Sequence, residues 1–130
     1  EVVSHFNPQD LTNTTWGFSK VGFINQPAMD TLARESLLQT HRFEAIHFSN
    51  LLYSFAQLRV KGPEGVLEAV ADAAVAKIHR FDGGNLAIAI WALAMLGMRE
   101  HQLLSVALAQ VLRPEVCRTL GSRALSMLIL

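Results

Sequence analysis

The sequence predicts an all-α fold, an α-solenoid of helix-pair repeats of about 38 residues. Similar segments recur in register, their apolar positions follow a helical rather than a strand period, and the same helix-end chemistry opens them. FNPQDLTNTTWGFSKVG begins at Phe6, FEAIHFSNLLYSFAQLRV at Phe43 and FDGGNLAIAIWALAMLGM at Phe81, so the openings lie 37 and 38 residues apart. With 130 residues, 51% apolar and 17% charged, the chain can bury a core.

The first helix of each repeat follows from fixed offsets after the opening phenylalanine. Five residues on stand Leu11, Phe48 and Leu86; twelve on, Phe18, Phe55 and Leu93; fifteen on, Val21, Leu58 and Leu96. These offsets share one helical face and predict a buried stripe. Ten residues on come the aromatics Trp16, Tyr53 and Trp91, each followed by a small residue (Gly17, Ser54, Ala92) that lets a neighbouring helix approach. Asn7 is a good N-cap, Pro8 suits the first helical position, and Asp10 stands where a capping box places its acid. Phe6 then precedes the cap and pairs with Leu11 as a hydrophobic staple, repeated as Phe43 with Phe48 and Phe81 with Leu86. Glu44 takes the cap position of the second copy and is a poor capping residue.

Second helices are expected from about Pro27 to Gln39, Pro63 to His79 and Glu100 to Leu112, with Pro27 and Pro63 as first-turn prolines. The repeats then run approximately 6–42, 43–80 and 81–119, with a partial fourth over 120–130 in which Leu120 takes the staple position and Ser126 to Leu130 start a first helix. Because a hairpin buries its faces only against its neighbours, this number of copies without polar end caps predicts that residues 1–130 are a fragment of one helical-repeat domain in a longer protein.

Several function classes find no support. Lys plus Arg equal Asp plus Glu at 11 each, and no third of the chain departs from neutrality by more than one charge, so no overall field draws it to nucleic acid or membrane. The apolar run Gly83 to Met98 is too short to span a bilayer and contains Asn85, which predicts a buried helix and no membrane insertion. The single cysteine, Cys117, forms no intrachain disulfide and reads as a buried structural thiol. Histidines 5, 41, 47, 79 and 101 lack zinc-site spacing and read as scattered surface or loop residues, and Gly83-Gly84 lacks the Lys-Ser/Thr of a phosphate loop. No enzyme, metal or cofactor is expected.

The pattern Phe-x-Pro-Gln-x-Leu-x-Asn-x-x-Trp-x-x-x-Lys-x-Gly from Phe6 to Gly22, with Trp91-Ala92-Leu93-Ala94-Met95-Leu96-Gly97 in the third copy, resembles the octotricopeptide repeat of organellar RNA-processing factors. Phe6, Leu11, Trp16, Phe18, Phe43, Phe48, Tyr53, Phe55, Phe81, Leu86, Trp91 and Leu93 are the signature positions; the second copy lacks the Pro-Gln and the Trp. The resemblance implies an α-solenoid in a mitochondrion or chloroplast that binds a defined single-stranded or ribosomal RNA in RNA metabolism or translation. The alternative is a scaffold subunit of an organellar assembly such as a ribosome, binding mainly protein.

If RNA lies along the first helices, its contacts are polar, off the buried stripe and repeated. Asn13, Asn50 and Ile88 stand seven residues after each opening phenylalanine, and Lys20, Gln57 and Met95 fourteen after it, on one face. The amides suit base edges and Lys20 a phosphate, with Thr12 and Ser49 adjacent. The alternative is that Asn13 and Asn50 bond the backbone of a neighbouring repeat. Trp16, Tyr53 and Trp91 suit base stacking, but their regular spacing favours inter-repeat core. Arg42, Arg59, Lys61 and Arg80 face phosphates or plain solvent. The third copy, apolar nearly all round from Leu86 to Met98, is expected either to be covered by another protein segment or to read no base.

Overall fold

Helix-end chemistry sets the frame. The computed structural model describes residues 2–129, Ile129 by its backbone only; Glu1 and Leu130, which the repeat reading includes, lie outside the described residues. Eight α-helices follow: α1 (Pro8–Val21), α2 (Gln26–Leu38), α3 (Ala45–Leu58), α4 (Val66–Ala76), α5 (Gly83–Met95), α6 (Gln102–Val111), α7 (Pro114–Cys117) and α8 (Ser122–Ile129). Short 3₁₀ turns at Val2–His5, Thr40–Arg42 and Ile78–Arg80 precede α1, α3 and α5.

The Asn7 side chain accepts the Asp10 N–H at 2.8 Å and the Asp10 carboxylate accepts the Asn7 N–H at 3.0 Å, a complete capping box. Asp82 caps α5 by accepting the Asn85 N–H at 2.8 Å. At the start of α3, where Glu44 stands, His47 Nδ1 accepts the Glu44 N–H at 2.9 Å, so an imidazole fills the place of the acid. Burial holds the His47 pKa below its ordinary 6.5; the Glu44 carboxylate opposes this and the Lys77 ammonium adds to it. Between the lowered folded value and 6.5 the unfolded chain binds the extra proton. This contribution is therefore full above pH 6.5 and is lost as pH falls through the folded value. Urea unfolding at about pH 7.5 and about pH 5.5 should show the acid loss, and His47→Gln should shrink it. An unchanged loss in the variant would assign it to other groups.

The ends of the first helices are equally regular. Gly22, Arg59 and Gly97 all take left-handed backbone, with φ of 70°, 57° and 75°. One residue on, Phe23, Val60 and Met98 donate their N–H groups to the carbonyls of Phe18, Phe55 and Leu93 at 3.0, 3.0 and 2.9 Å, the Schellman pattern. Arginine pays a steric cost there that glycine avoids. Arg59→Gly should therefore stabilise the fold by about 1 kcal/mol, read as a higher urea midpoint. A lower midpoint would mean that the Arg59 side chain holds the turn.

Helices α1, α3, α5 and α8 pack side by side in one row and α2, α4 and α6 in a second, with α1 on α2, α3 on α4 and α5 on α6. This is an all-α helical-repeat fold. The core between the rows holds Leu11, Phe48, Phe55, Leu86 and Leu93 from the first row against Met29, Val70 and Leu103 from the second. Phe43 lies 5.1 Å from Phe48 and Phe48 stacks on Phe81 at 6.3 Å, so the staples run from one helix pair into the next.

Polar latches cross the junctions at matching positions. Four residues before the second opening phenylalanine, Gln39 Nε2 donates to the Phe6 carbonyl at 2.6 Å. Four before the third, Lys77 Nζ donates to the carbonyls of Phe43 at 2.7 Å, His41 at 3.1 Å and Thr40 at 3.3 Å. His101 ties α6 to α4 through Nε2, 2.7 Å from the Asp72 carboxylate and 3.1 Å from the Glu68 carbonyl, while Nδ1 accepts the Leu103 N–H. His47 and His101 are thus half-buried bonding groups, not scattered surface residues.

Other expectations are corrected. Val21 is exposed where Leu58 and Leu96 are buried, since among the described residues no first-row helix packs on the other side of α1. Pro63 precedes α4, whose cap is Gly65 in left-handed backbone; the proline turns the chain instead of opening the helix. The last first-row helix starts at Ser122, four residues before Ser126, and the short α7 is an element without a counterpart in the earlier pairs. Cys117, at the end of α7, is exposed and not a buried thiol. Helix α5 is covered by α3, α6 and α8 on most sides but stays open along Gly84, Ile88, Trp91 and Met95, so its apolar surface is not buried all round. Among the described residues no helix is long and apolar enough to cross a membrane.

Candidate nucleic-acid interface

Offsets seven, ten and fourteen are three and four residues apart, so they form one stripe on a helix. The structure places Asn13, Trp16 and Lys20 on α1, Asn50, Tyr53 and Gln57 on α3, and Ile88, Trp91 and Met95 on α5. The stripe faces away from the core at Trp16 but packs against it at Trp91. Trp16 is 45% exposed, Tyr53 and Trp91 are half-buried, and Asn13, Lys20 and Gln57 are exposed. Of the aromatics expected in the inter-repeat core, Trp16 lies on a surface, while Tyr53 and Trp91 pack half-buried on each other between α3 and α5, Trp91 also against the core.

The asparagines are not tied to neighbouring backbone. Asn13 Oδ1 accepts from Gln9 Nε2 on its own helix at 2.8 Å. The half-buried Asn50 side chain makes no hydrogen bond among the described residues, leaving a donor and an acceptor free. Thr12 and Ser49, in contrast, are buried and drop out of the contact set. The Thr12 hydroxyl donates to the Pro8 carbonyl at 3.1 Å; that of Ser49 lies 3.2 Å from the Ala45 carbonyl and 3.1 Å from Asn85 Oδ1 on the next helix of the row. They are small residues where α1 meets α3 and α3 meets α5.

The Lys20 ammonium lies 4.9 Å from the Trp16 ring centroid and 5.9 Å from that of Tyr53, within cation–π reach of both. Tyr53 and Trp91 contact each other directly at 5.4 Å, tilted by 34°. The aromatics thus form a row across three helices with a cation in its first gap.

A groove of about 350 Å³ opens beside Trp16 and Tyr53 of this row, lined among others by Asn50, Ile88, Arg123 and Met127. Helices in contact stand about 8–10 Å apart, so a flat row would separate α1 from α8 by about 25 Å. Side chains of both line one groove, hence the row curves and the stripe occupies its concave side. Arg123 was not singled out in the sequence. Its signal is its position three residues after Leu120, matching Gln9, Ile46 and Gly84 on the same stripe. Among the described residues no carboxylate lines the groove, and Arg123 supplies a cation. No group of three or more His, Cys, Asp or Glu among the described residues is placed to hold a metal ion.

No family model matches the chain. It is 29% identical over 100 residues to a RAP domain-containing protein, chloroplastic, of Oryza sativa subsp. japonica, an alignment covering 75% of this chain and 16% of that protein. The chain thus spans about a sixth of that relative's length.

Proposed function

We propose that this chain is an RNA-binding helical-repeat module of the octotricopeptide type, acting on single-stranded RNA in an organelle, with the chloroplast favoured by its relative. The observation that carries the reading is the concave groove in which aromatic rings, an unbonded amide and an arginine converge with no opposing acid among the described residues. Single-stranded RNA is held in general by stacking on aromatic side chains, by hydrogen bonds to splayed base edges and by cations on the backbone. The groove offers all three. Duplex RNA hides its base faces and is expected to compete poorly.

The scaffold alternative drew on an apolar third helix awaiting another polypeptide. Since α8 of the same chain packs on α5, that observation no longer favours it.

The test is fluorescence anisotropy with labelled single-stranded RNA. Asn13→Ala, Lys20→Ala and Asn50→Ala together should weaken binding by about tenfold or more while the helical circular dichroism is kept. With two cations at the stripe, the affinity should fall with salt at a log–log slope of only about −1 to −2. Unchanged affinity in the triple variant, or a steep slope with no preference for single strands, would sink the reading.

A further inference from the structure

The aromatic row has two gaps, and they differ. Between Tyr53 and Trp91 the rings touch at 5.4 Å and leave no room. Between Trp16 and Tyr53 there is no ring contact; the Lys20 ammonium lies near both centroids, on a flexible four-carbon stem that can swing away. Trp16, Asn50 and Tyr53 line the same groove, with Arg123 of α8 also on its wall. At about 350 Å³ it is at the small end of ligand pockets, which run from about 300 to 1,000 Å³.

We propose that the space between the Trp16 and Tyr53 rings is a binding slot for one nucleobase. The base displaces the Lys20 ammonium and stacks on the rings, the free Asn50 amide bonds its edge, and the Arg123 guanidinium meets its phosphate. This deepens, and rests on, the single-stranded-RNA reading above.

The ammonium stands in for the base when RNA is absent: its charge satisfies the ring faces that a base later covers. Released, Lys20 stays at the mouth of the slot, where a phosphate of the same strand gives it a new partner. The exchange forms and breaks no covalent bond. It also gives a role to the Asn50 amide, which stands on the groove wall without a protein partner among the described residues. The closed Tyr53–Trp91 pair offers no second slot, so the strand is pinned at one register point.

The experiment is ultraviolet crosslinking of the intact chain to single-stranded oligouridylate carrying 5-iodouridine, with the attachment site mapped by mass spectrometry. It is paired with anisotropy titrations of the same oligonucleotide against Trp16→Leu and Asn50→Leu. Crosslinks on Trp16 or Tyr53, with an affinity loss of about tenfold in Trp16→Leu, are the expected result. Crosslinks elsewhere, with RNA still bound and both variants at the affinity of the parent, would overturn the slot and leave the RNA reading standing. An unmodified chain that binds no RNA would overturn both. Should a variant misfold, the crosslink map of the unmodified chain decides.

Discussion

Phe48→Ala is expected to destabilise the fold by about 3–5 kcal/mol, the largest single effect of any substitution considered. The ring is fully buried, lies 5.1 Å from Phe43 at the start of its own helix pair, and stacks at 6.3 Å on Phe81, which opens the next. Truncation removes apolar area and leaves a cavity at the place where two helix pairs share their staple. Neighbours cannot close it, because Phe43 and Phe81 are each fixed by the turn that precedes a helix. The measurement is the free energy of urea unfolding. A loss under about 1 kcal/mol would mean that the junction is not packed as described.

Lys77→Met should cost about 2–3 kcal/mol. The ammonium serves three carbonyls of the preceding junction, and the Phe43 carbonyl takes no other hydrogen bond among the described residues. Methionine keeps the stem and its packing but leaves the Phe43 and His41 carbonyls without a donor among the described residues, while the Thr40 carbonyl keeps the Phe43 N–H. Lys77→Arg, which keeps the charge, should recover part of the loss. Equal stability of the methionine variant and the parent would show that water replaces the latch at no cost.

How far the sequence reveals this molecule depends on what a periodic pattern contains. Offsets five and twelve specify an angle around one helix, and the capping residues Asn7 and Asp82 specify where it begins, so the core positions Leu11, Phe48, Phe55, Leu86 and Leu93 were legible. The same pattern does not say which sides neighbouring helices occupy. In a two-row stack a first helix is covered from behind and laterally, and one side stays open. Trp16 falls on that open side, though its chemistry argued for core, while Tyr53 and Trp91 stand half-buried at its edge. Thr12 and Ser49 fall on the lateral sides, though their chemistry argued for solvent. Only small size distinguishes the lateral positions, and size is also compatible with exposure. Lys20, by contrast, was legible as a surface cation, and its place between two rings was not: that depends on Tyr53, 33 residues away.

The latch that Gln39 and Lys77 provide has a counterpart position at the last junction, four residues before Leu120, and it is held by Val116, which has no donor to offer. A stack of this kind behaves as a one-dimensional chain of nearest-neighbour couplings, each setting how readily one unit opens without the next. The couplings here are unequal: two junctions are bolted by polar donors, and the third relies on apolar contact and the packing of α8 on α5. Amide hydrogen exchange is expected to be faster across the last junction than across the two latched ones. Of these three junctions, the one leading to the helix that carries Arg123 is therefore expected to open most readily.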